Sequence, residues 1–373
     1  MNHTKPTYLR PSISPNILTV PLQSMNSFSI ISTTNRFNVQ CDEFVTNLRE
    51  LTQRYNTKVR QAVALDPTYT GSRSRGVKLA WKYEKADVEM GGKGSANWNK
   101  SQRQEILETG SVRGAEGHHQ RNVADHPEDQ ADPNNIKFYK DRKDHQTAHG
   151  DNWANKTEDP KIDKEAMLKR TNQKRVIKNE IKGAGIAALI GFAAGASIGF
   201  IVTIAQNGIS PDSLKDAAVN GGKAGIEGAA FGLINHVGTR LIGNIATNAM
   251  TGFLSNFGIE ITENITKACN MGIAGSIAII TFSVYQFVRL KMNGVSTKDA
   301  LISVGKNAII SVASLAVTVT VQAAFGGPAA LAVSIGIGAV LLSYSMYNYY
   351  HDKKLMSEIH CYTIEKTYPF IIE

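Results

Sequence analysis

Histidines are concentrated in one stretch of this chain, where five of the nine lie between residues 118 and 149. A neutral imidazole is both a base that titrates near neutral pH and a ligand for divalent metal ions. His145 and His149 are four residues apart, so on a helix both rings lie on one face and can share a metal ion. Adjacent residues of a strand, such as His118 and His119, point to opposite sides. The spacing therefore predicts a three-histidine metal site beside a fourth histidine that faces a substrate.

The segments around these histidines predict two strands followed by a helix. Residues 112–120 suit a strand, residues 121–133 form a polar loop with prolines, and residues 135–139 suit a second strand. A helix is expected from residue 142 to about residue 149, because Asp141 can cap its first turn. This ββα unit within a small α+β domain would carry one histidine pair on its first strand and the other on its helix.

The order of the residues in this unit resembles a known signature. The chain carries Glu116-x-His118-His119, then Asn135-Ile136, then His145-x-x-x-His149. This combination resembles the HNH endonuclease signature. It looks most like the GHH-type nuclease modules of bacterial polymorphic toxins, and it is more distantly similar to colicin DNase domains. The resemblance covers about residues 70–155 and implies a ββα-metal fold with endonuclease activity.

The resemblance also implies a metal site and a base. His118, His145 and His149 would bind one divalent metal ion, and His119 would be the general base that deprotonates water for in-line attack on a phosphodiester. A neutral imidazole suits that second role because its ordinary pKa lies close to neutral pH. Zn, Ni and Mn suit three imidazoles, and Mg is a further candidate, so the identity of the metal stays open.

Further roles follow from the same resemblance. Asn135 would orient His119, with the neighbouring Asn134 as the alternative. Arg113 would contact a phosphate, and Glu116 would hold Arg113 in place. A surface ion pair worth at most about 1 kcal/mol is an equally good interpretation of the arginine and the glutamate.

The second half of the chain is rich in glycine and alanine and nearly free of charge. A bilayer needs roughly 20 apolar residues for each helical span. Four stretches are long enough, namely residues 184–205, 268–289, 307–325 and 329–349. Residues 228–259 stay undecided, because they are apolar but carry a histidine, an arginine and four asparagines. We therefore expect an all-α, Gly/Ala-rich transmembrane domain, with a buried helical bundle of a soluble protein as the alternative.

Two patterns recur in this apolar half. Gly191, Gly195 and Gly199 are spaced by four residues, a small-residue pattern that permits close contact between helices in lipid. Asn207-Gly-Ile-Ser is echoed by Asn293-Gly-Val-Ser, and a Gly-Lys pair follows each copy. The echo indicates an internal duplication of a span, a turn and a small-residue helix.

The distribution of charge and cysteine limits the partners and the compartment. A formal net charge of +9 indicates an anionic partner, either nucleic acid or an anionic membrane surface. A basic run at residues 161–182 precedes the first apolar stretch, so the positive-inside rule places the N-terminal half in the cytoplasm, at the inner membrane. The three cysteines are far apart and include no CxxC pair, which excludes a disulfide scaffold or a zinc ribbon. Residues 1–27 contain no apolar core of a signal peptide, so export by that route is not expected.

The sequence thus predicts a multi-domain chain. Its segments are an N-terminal leader and amphipathic helix at 1–65, an HNH-like nuclease domain at 66–155, a basic linker or helix at 156–182, the hydrophobic domain at 183–351 and a tail at 352–373. The leading hypothesis is a metal-dependent endonuclease that cleaves DNA, or alternatively RNA, and is held in a lipid bilayer. It would be a delivered antibacterial toxin with a cognate immunity protein, or a resident defence nuclease. The rival hypothesis is a non-enzymatic, pore-forming or structural membrane protein with a degenerate HNH module.

Overall fold

The computed structural model describes residues 20–367, so expectations for the first part of the leader and the end of the tail fall outside the described residues. The chain divides into two compact units. One spans Thr33–Glu180, and the other combines the segments up to Ser32 and from Ile181 onward. The boundaries predicted from sequence stay predictions.

The Thr33–Glu180 unit contains the predicted ββα order. Its elements are most of α1 (Val20–Leu65), α2 (Arg73–Glu89), α3 (Lys100–Thr109), β1 (Glu116–His119), β2 (Ile136–Tyr139), α4 (Arg142–Ala148) and the start of α5 (Lys164–Asn207). The two strands are antiparallel, with His118 opposite Lys137 and His119 opposite Ile136. β1 is shorter than predicted, because a turn closed by the Ala115 amide and the Val112 carbonyl precedes it.

Local capping explains where the short helices begin. The Asp141 carboxylate accepts a hydrogen bond from the Asp144 amide, which satisfies a donor of the first turn of α4. In α3, Asn99 and Gln102 form a reciprocal capping box. Gly110 ends α3 in the left-handed region, at φ 88°, where a residue without a Cβ is favoured.

Two hydrophobic clusters form the core of this unit. Residues from α1, α2 and α5 make the first, which contains Cys41, Val45, Leu48, Leu79, Tyr83 and Leu168. The second packs Trp98, Ile106, Ile136 and Phe138 between α2, α3 and β2. Lys164, the first residue of α5, is fully buried and pairs with the equally buried Glu84 at 3.1 Å. The first turns of α5 therefore belong to the core of this unit, where the sequence suggested a linker or a surface helix.

The second unit is helical. It includes the apolar part of α5, followed by α6 (Pro211–Asn256), α7 (Glu263–Met292), α8 (Thr297–Phe325) and α9 (Gly327–Thr367). Within the described residues, four helices are long and apolar enough to cross a membrane, namely α5, α7, α8 and α9 up to Ile359. They contain the four predicted stretches. The undecided residues 228–259 lie mostly in α6, which is not among the four.

The repeated Asn-Gly-[Ile/Val]-Ser motif forms the same turn twice. Gly208 and Gly294 have φ angles of 74° and 80°, so both occupy the left-handed region after a helix ends. Ser210 and Ser296 then cap α6 and α8, each accepting a hydrogen bond from an amide in the first turn. One sequence motif thus ends one helix and begins the next in both copies.

Candidate metal centre and active site

The structure brings three of the predicted site histidines together. His118 lies on β1, His145 on α4, and His149 caps the C-terminal end of α4. Each ring offers one nitrogen, and these nitrogens all lie within 4.8 Å of one another. Nδ1 of His118 is 3.0 Å from Nε2 of His145. Zn–N bonds are about 2.0–2.1 Å long, so the 3.0 Å pair can contact one ion, and any wider pair in the group needs a small ring rotation to do so.

Hydrogen bonds prepare two of these rings to bind a metal. Nδ1 of His145 donates to the Glu116 carboxylate at 2.7 Å, and Nδ1 of His149 donates to the Asn155 carbonyl at 2.9 Å. An imidazole that donates from Nδ1 keeps the lone pair on Nε2, which is the atom left to coordinate an ion. The pattern of a ligand ring held by a carboxylate or a carbonyl is usual around bound metals.

His118 supplies the direct test of whether these residues fit a metal. Its Nε2 is buried and has no hydrogen-bond partner among the described residues. Burial, followed by the nearby His145 and His149, lowers the pKa of His118 to about 3. The ring is therefore neutral at physiological pH and keeps a lone pair. A buried polar atom without a partner is costly. A metal ion bound at Nε2 would satisfy it, whereas an ion bound at Nδ1, which lies 3.0 Å from His145 Nε2, would leave it without a partner. The donor set of three imidazoles fits a Zn, Ni or Mn-type ion.

Glu116 contacts a metal-site histidine and not Arg113. Its carboxylate receives the His145 hydrogen bond and lies 3.6 Å from the Arg142 guanidinium. Arg113 is exposed, and its backbone amide donates to Glu105 at 2.7 Å. The expected support of Arg113 by Glu116 is absent from the described contacts, because the strand directs the glutamate toward α4. Glu116 thus orients the His145 ring, and the proposed contact of Arg113 with a phosphate stays a prediction.

His119 lies outside the three-histidine group, as the alternation of side chains along β1 requires. Its Nε2 donates to the backbone carbonyl of Gln130 at 3.1 Å. That bond assigns the proton to Nε2 and leaves Nδ1 as the proton acceptor. Burial lowers the pKa of His119, with the Gln130 bond acting in the opposite direction. The ring is therefore a neutral base whose orientation is fixed by a loop carbonyl.

Asn135 organises the loop that holds His119. The amide is fully buried, donates to the carbonyls of Arg121 and Asp129 at 3.0 and 3.4 Å, and accepts from the Arg121 amide at 2.8 Å. Asp129 immediately precedes Gln130, so Asn135 acts on His119 through the loop and not by direct contact. Asn134, the alternative, accepts from the backbone amide of Lys164 and so anchors the start of α5.

Gln130 is a residue that sequence reasoning missed. It is fully buried, its Oε1 accepts from the Ser72 amide, and its Nε2 donates to the carbonyls of Tyr69 and Pro127, each at 2.8 Å. Gly76 of α2 faces its backbone carbonyl, where a Cβ would collide. A lone glutamine in a polar loop gives no signal in the sequence, since its role depends on contacts with α2.

His126 belongs to a separate polar network. It lies near Glu128 and Asp129, which together form a second group close enough to hold an ion. Arg121 occupies this place instead, since its guanidinium bonds Asp129 at 2.8 Å and contacts the His126 ring. His126 also bonds Glu158 at 2.8 Å. Because the Arg121 guanidinium lies among these side chains, they form an ion-pair network, which stabilises the loop between β1 and β2.

A family comparison matches this part of the chain. Residues 69–140 match the family described as GHH signature containing HNH/Endo VII superfamily nuclease toxin. Curated proteins and solved structures give no match. The matched segment contains β1, His118, His119, Asn135 and β2, and it ends before His145 and His149. It confirms the resemblance inferred from the residues. Residues 69–140 are a nuclease toxin domain of the GHH-signature HNH/Endo VII superfamily, and this chain joins it to a helical region in which four of the described helices are long and apolar enough to cross a membrane.

Proposed function

We propose that this protein is a metal-dependent endonuclease that hydrolyses phosphodiester bonds of DNA, with RNA as the alternative substrate. The observation that carries the proposal is the convergence of His118, His145 and His149, together with the next residue of β1, a neutral His119 whose tautomer is set by a carbonyl. Phosphodiester hydrolysis needs a base for the attacking water and positive charge for the oxygens that become more negative.

The side chains divide this work between them. His118, His145 and His149 would hold the ion, which when bound supplies positive charge to the phosphate and the leaving oxygen. Nδ1 of His119 takes the proton of the attacking water. Asn135 keeps the loop and its Gln130 carbonyl in place, so that His119 presents the correct nitrogen.

Positive charge lines the surface next to this site. Lys137 and Lys140 lie on and after β2, and Arg142 and Lys143 begin α4. With Arg113 they form a set of cations suited to a polyanionic backbone, which supports nucleic acid as the substrate. Base-specific contact is not needed for such binding, so low sequence preference is expected.

The biological setting that we propose is a toxin delivered to a competing cell, whose apolar helices insert into the inner membrane while the nuclease unit acts in the cytoplasm. The toxin family and the four apolar helices support this setting, and the basic residues that open α5 support the orientation. A cognate immunity protein in the producing cell would follow. A resident defence nuclease at the same membrane is the alternative.

Plasmid nicking by the purified full-length chain in mild detergent tests the proposed activity. We expect nicking with at least one of Mg²⁺, Mn²⁺, Ni²⁺ or Zn²⁺ and none with EDTA. His119→Ala should lower the rate by about 10²- to 10⁴-fold, the usual contribution of a general base. His351→Ala is the matched control, because it removes an exposed histidine on α9, outside the nuclease unit. Equal nicking rates for wild type and His119→Ala would exclude His119 as the general base.

A pore-forming function is the second candidate, and one observation favours it. Buried polar side chains follow one face of α8, namely Asn307, Ser311, Thr318 and Gln322. Polar residues inside a membrane segment commonly mark a functional path. A dye-release assay with vesicles tests this candidate. If wild type and His119→Ala both release dye, and His119→Ala is still toxic, a pore is favoured over a nuclease.

A further inference from the structure

Trp153 is exposed next to the metal site, in contrast to the other two tryptophans. Its side chain is 42% exposed, whereas Trp98 is fully buried and Trp81 packs against Phe138 with ring centroids 4.0 Å apart. The Trp153 ring lies 5.0 Å from the His145 ring and 5.3 Å from the His149 ring. Part of the indole beside the candidate metal site is therefore open to solvent and accessible to a ligand.

The loop that carries Trp153 is tied to a metal-site histidine. His149 and Asn155 exchange two hydrogen bonds, from His149 Nδ1 to the Asn155 carbonyl at 2.9 Å and from Asn155 Nδ2 to the His149 carbonyl at 2.8 Å. Within this loop, the Asn152 side chain accepts from the Ala154 amide at 3.0 Å. These bonds bracket Trp153, so its ring is positioned relative to the site.

The guanidinium group of Arg142 lies over the indole ring of Trp153. The Arg142 guanidinium lies 5.2 Å from the centre of the Trp153 ring, and the arginine side chain is 77% exposed. An arginine over an aromatic ring is a favourable pair, and both groups have flat faces on which a nucleobase can stack. The cation also suits the phosphate that follows the base. Indole and guanidinium together are thus equipped to bind one nucleotide unit.

We propose that Trp153 is a stacking platform for an unpaired nucleobase beside the scissile phosphate, with Arg142 assisting. This inference rests on the proposed nuclease function and assigns its substrate class, which is single-stranded nucleic acid or duplex regions that open locally. In a duplex each base already stacks on its neighbours, so its face is closed to a protein ring. In a single strand the face of a nucleobase is accessible to a protein ring, because little free energy of unpairing and unstacking is needed. Stacking accepts every base, which agrees with low sequence preference.

Binding in EDTA tests the platform without cleavage. The full-length chain in detergent is titrated with a fluorescently labelled single-stranded oligodeoxythymidine and with a duplex of equal length. Trp153→Ala should weaken single-strand binding by about 5- to 100-fold, the usual range for loss of one stacked base, and change duplex binding by less than about 2-fold. Trp153→Phe, which keeps a ring, should restore most of the affinity. Leu107→Ala is the control, since Leu107 is a partly exposed apolar residue on α3.

Cleavage assays separate this inference from the proposed function. With metal present, Trp153→Ala should raise KM for the single strand and leave kcat nearly unchanged, and its unchanged metal stoichiometry would show that the site is folded. Single-strand affinity equal to wild type, or equal losses for single strand and duplex, would overturn the platform even if the enzyme cleaves. If the chain binds single strands selectively through Trp153 but cleaves no substrate, the stacking platform is supported and the proposed nuclease activity is excluded.

Discussion

His145 connects the metal site to the strand that precedes it. One of its ring nitrogens faces Nδ1 of His118, and the other is held by the Glu116 carboxylate at 2.7 Å. A carboxylate behind a ligand histidine fixes the orientation of the ring and raises its basicity. Glu116 is therefore assigned a positioning role that its place in the sequence motif does not reveal.

This assignment makes a prediction for Glu116→Gln. The amide cannot supply the same charge to Nδ1 of His145, so metal affinity should fall by about 10- to 100-fold, as measured by calorimetric titration. Glu108→Gln, a change of an exposed carboxylate on α3, should leave the affinity at the wild-type value. If Glu116→Gln also bound metal as tightly as wild type, the carboxylate would have no part in holding the ligand.

Protonation of the metal-free site provides a second prediction at the residue scale. The pKa of His118 is about 3 in the folded chain, against an ordinary value of 6.5. Because the folded value is the lower one, the unfolded chain binds protons first, and the stabilisation present above about pH 6.5 is lost as the pH falls. Between pH 7 and pH 5 this group should cost about 2 kcal/mol of unfolding free energy. The lowered pKa of His119 acts in the same direction.

Urea unfolding of residues 33–180 in EDTA at the two pH values measures the effect. Both hydrophobic clusters of this unit lie inside the fragment, which makes it a suitable sample. His118→Gln should unfold with a weaker pH dependence than wild type. An identical dependence in both proteins would show that the ring is not protected from protonation in the fold.

At the scale of elements, the helical unit depends on small residues where α5 meets α6. A Cβ at Gly191 would overlap the carbonyl oxygen of Gly228, and a Cβ at Gly195 would overlap that of Ala224. Gly199 faces the Cβ of Ala224 at close range. The spacing of four residues therefore forms the contact face of α5, and helix packing without a hydrophobic driving force needs such close approach.

Gly191→Leu should separate α5 from α6. We expect the thermal midpoint of the chain in mild detergent to fall by at least about 4 °C, because an overlap with backbone cannot be relieved by a side-chain rotation. Gly185→Leu is the matched control, since no atom lies within 4 Å of a Cβ built there. Similar midpoints for the two variants would mean that this face of α5 is not packed.

The sequence predicts elements whose signals are local. Asp141 marks the start of α4 through its own cap, and the structure has that start. The observed β1 is shorter than the predicted strand, because the turn before it depends on a backbone hydrogen bond between Val112 and Ala115. Contacts between distant segments have no local sequence signal. Gln130 contacts the start of α2, and Trp153 contacts His145 of α4, so neither role could be predicted from sequence.

At the scale of the whole molecule, α5 is a single helix with a basic N-terminal part and an apolar C-terminal part. It opens with a basic stretch that includes the buried Lys164 and continues into an apolar stretch of membrane-spanning hydropathy. Lys and Arg residues next to a span favour the cytoplasmic side, so the proposed orientation has this stretch in the cytoplasm. The helical unit also exposes many large apolar side chains, as lipid-facing residues do.

Alkaline extraction of bacterial membranes tests this organisation. The full-length chain should stay in the membrane pellet, whereas residues 33–180, which lack the apolar helices, should be released into the supernatant. The reason is that burial of roughly 20 apolar residues per span resists extraction, unlike binding through surface charge. Release of the full-length chain would contradict membrane insertion.

The central claim is that three histidines hold one metal ion. Calorimetric titration of EDTA-treated residues 33–180 with Zn²⁺ and Ni²⁺ tests it directly. We predict one ion per chain, a loss of more than about 100-fold in affinity for alanine at His118, His145 or His149, and little change for His119→Ala. Binding that is absent in wild type, or unaltered when His149 becomes alanine, would contradict the claim.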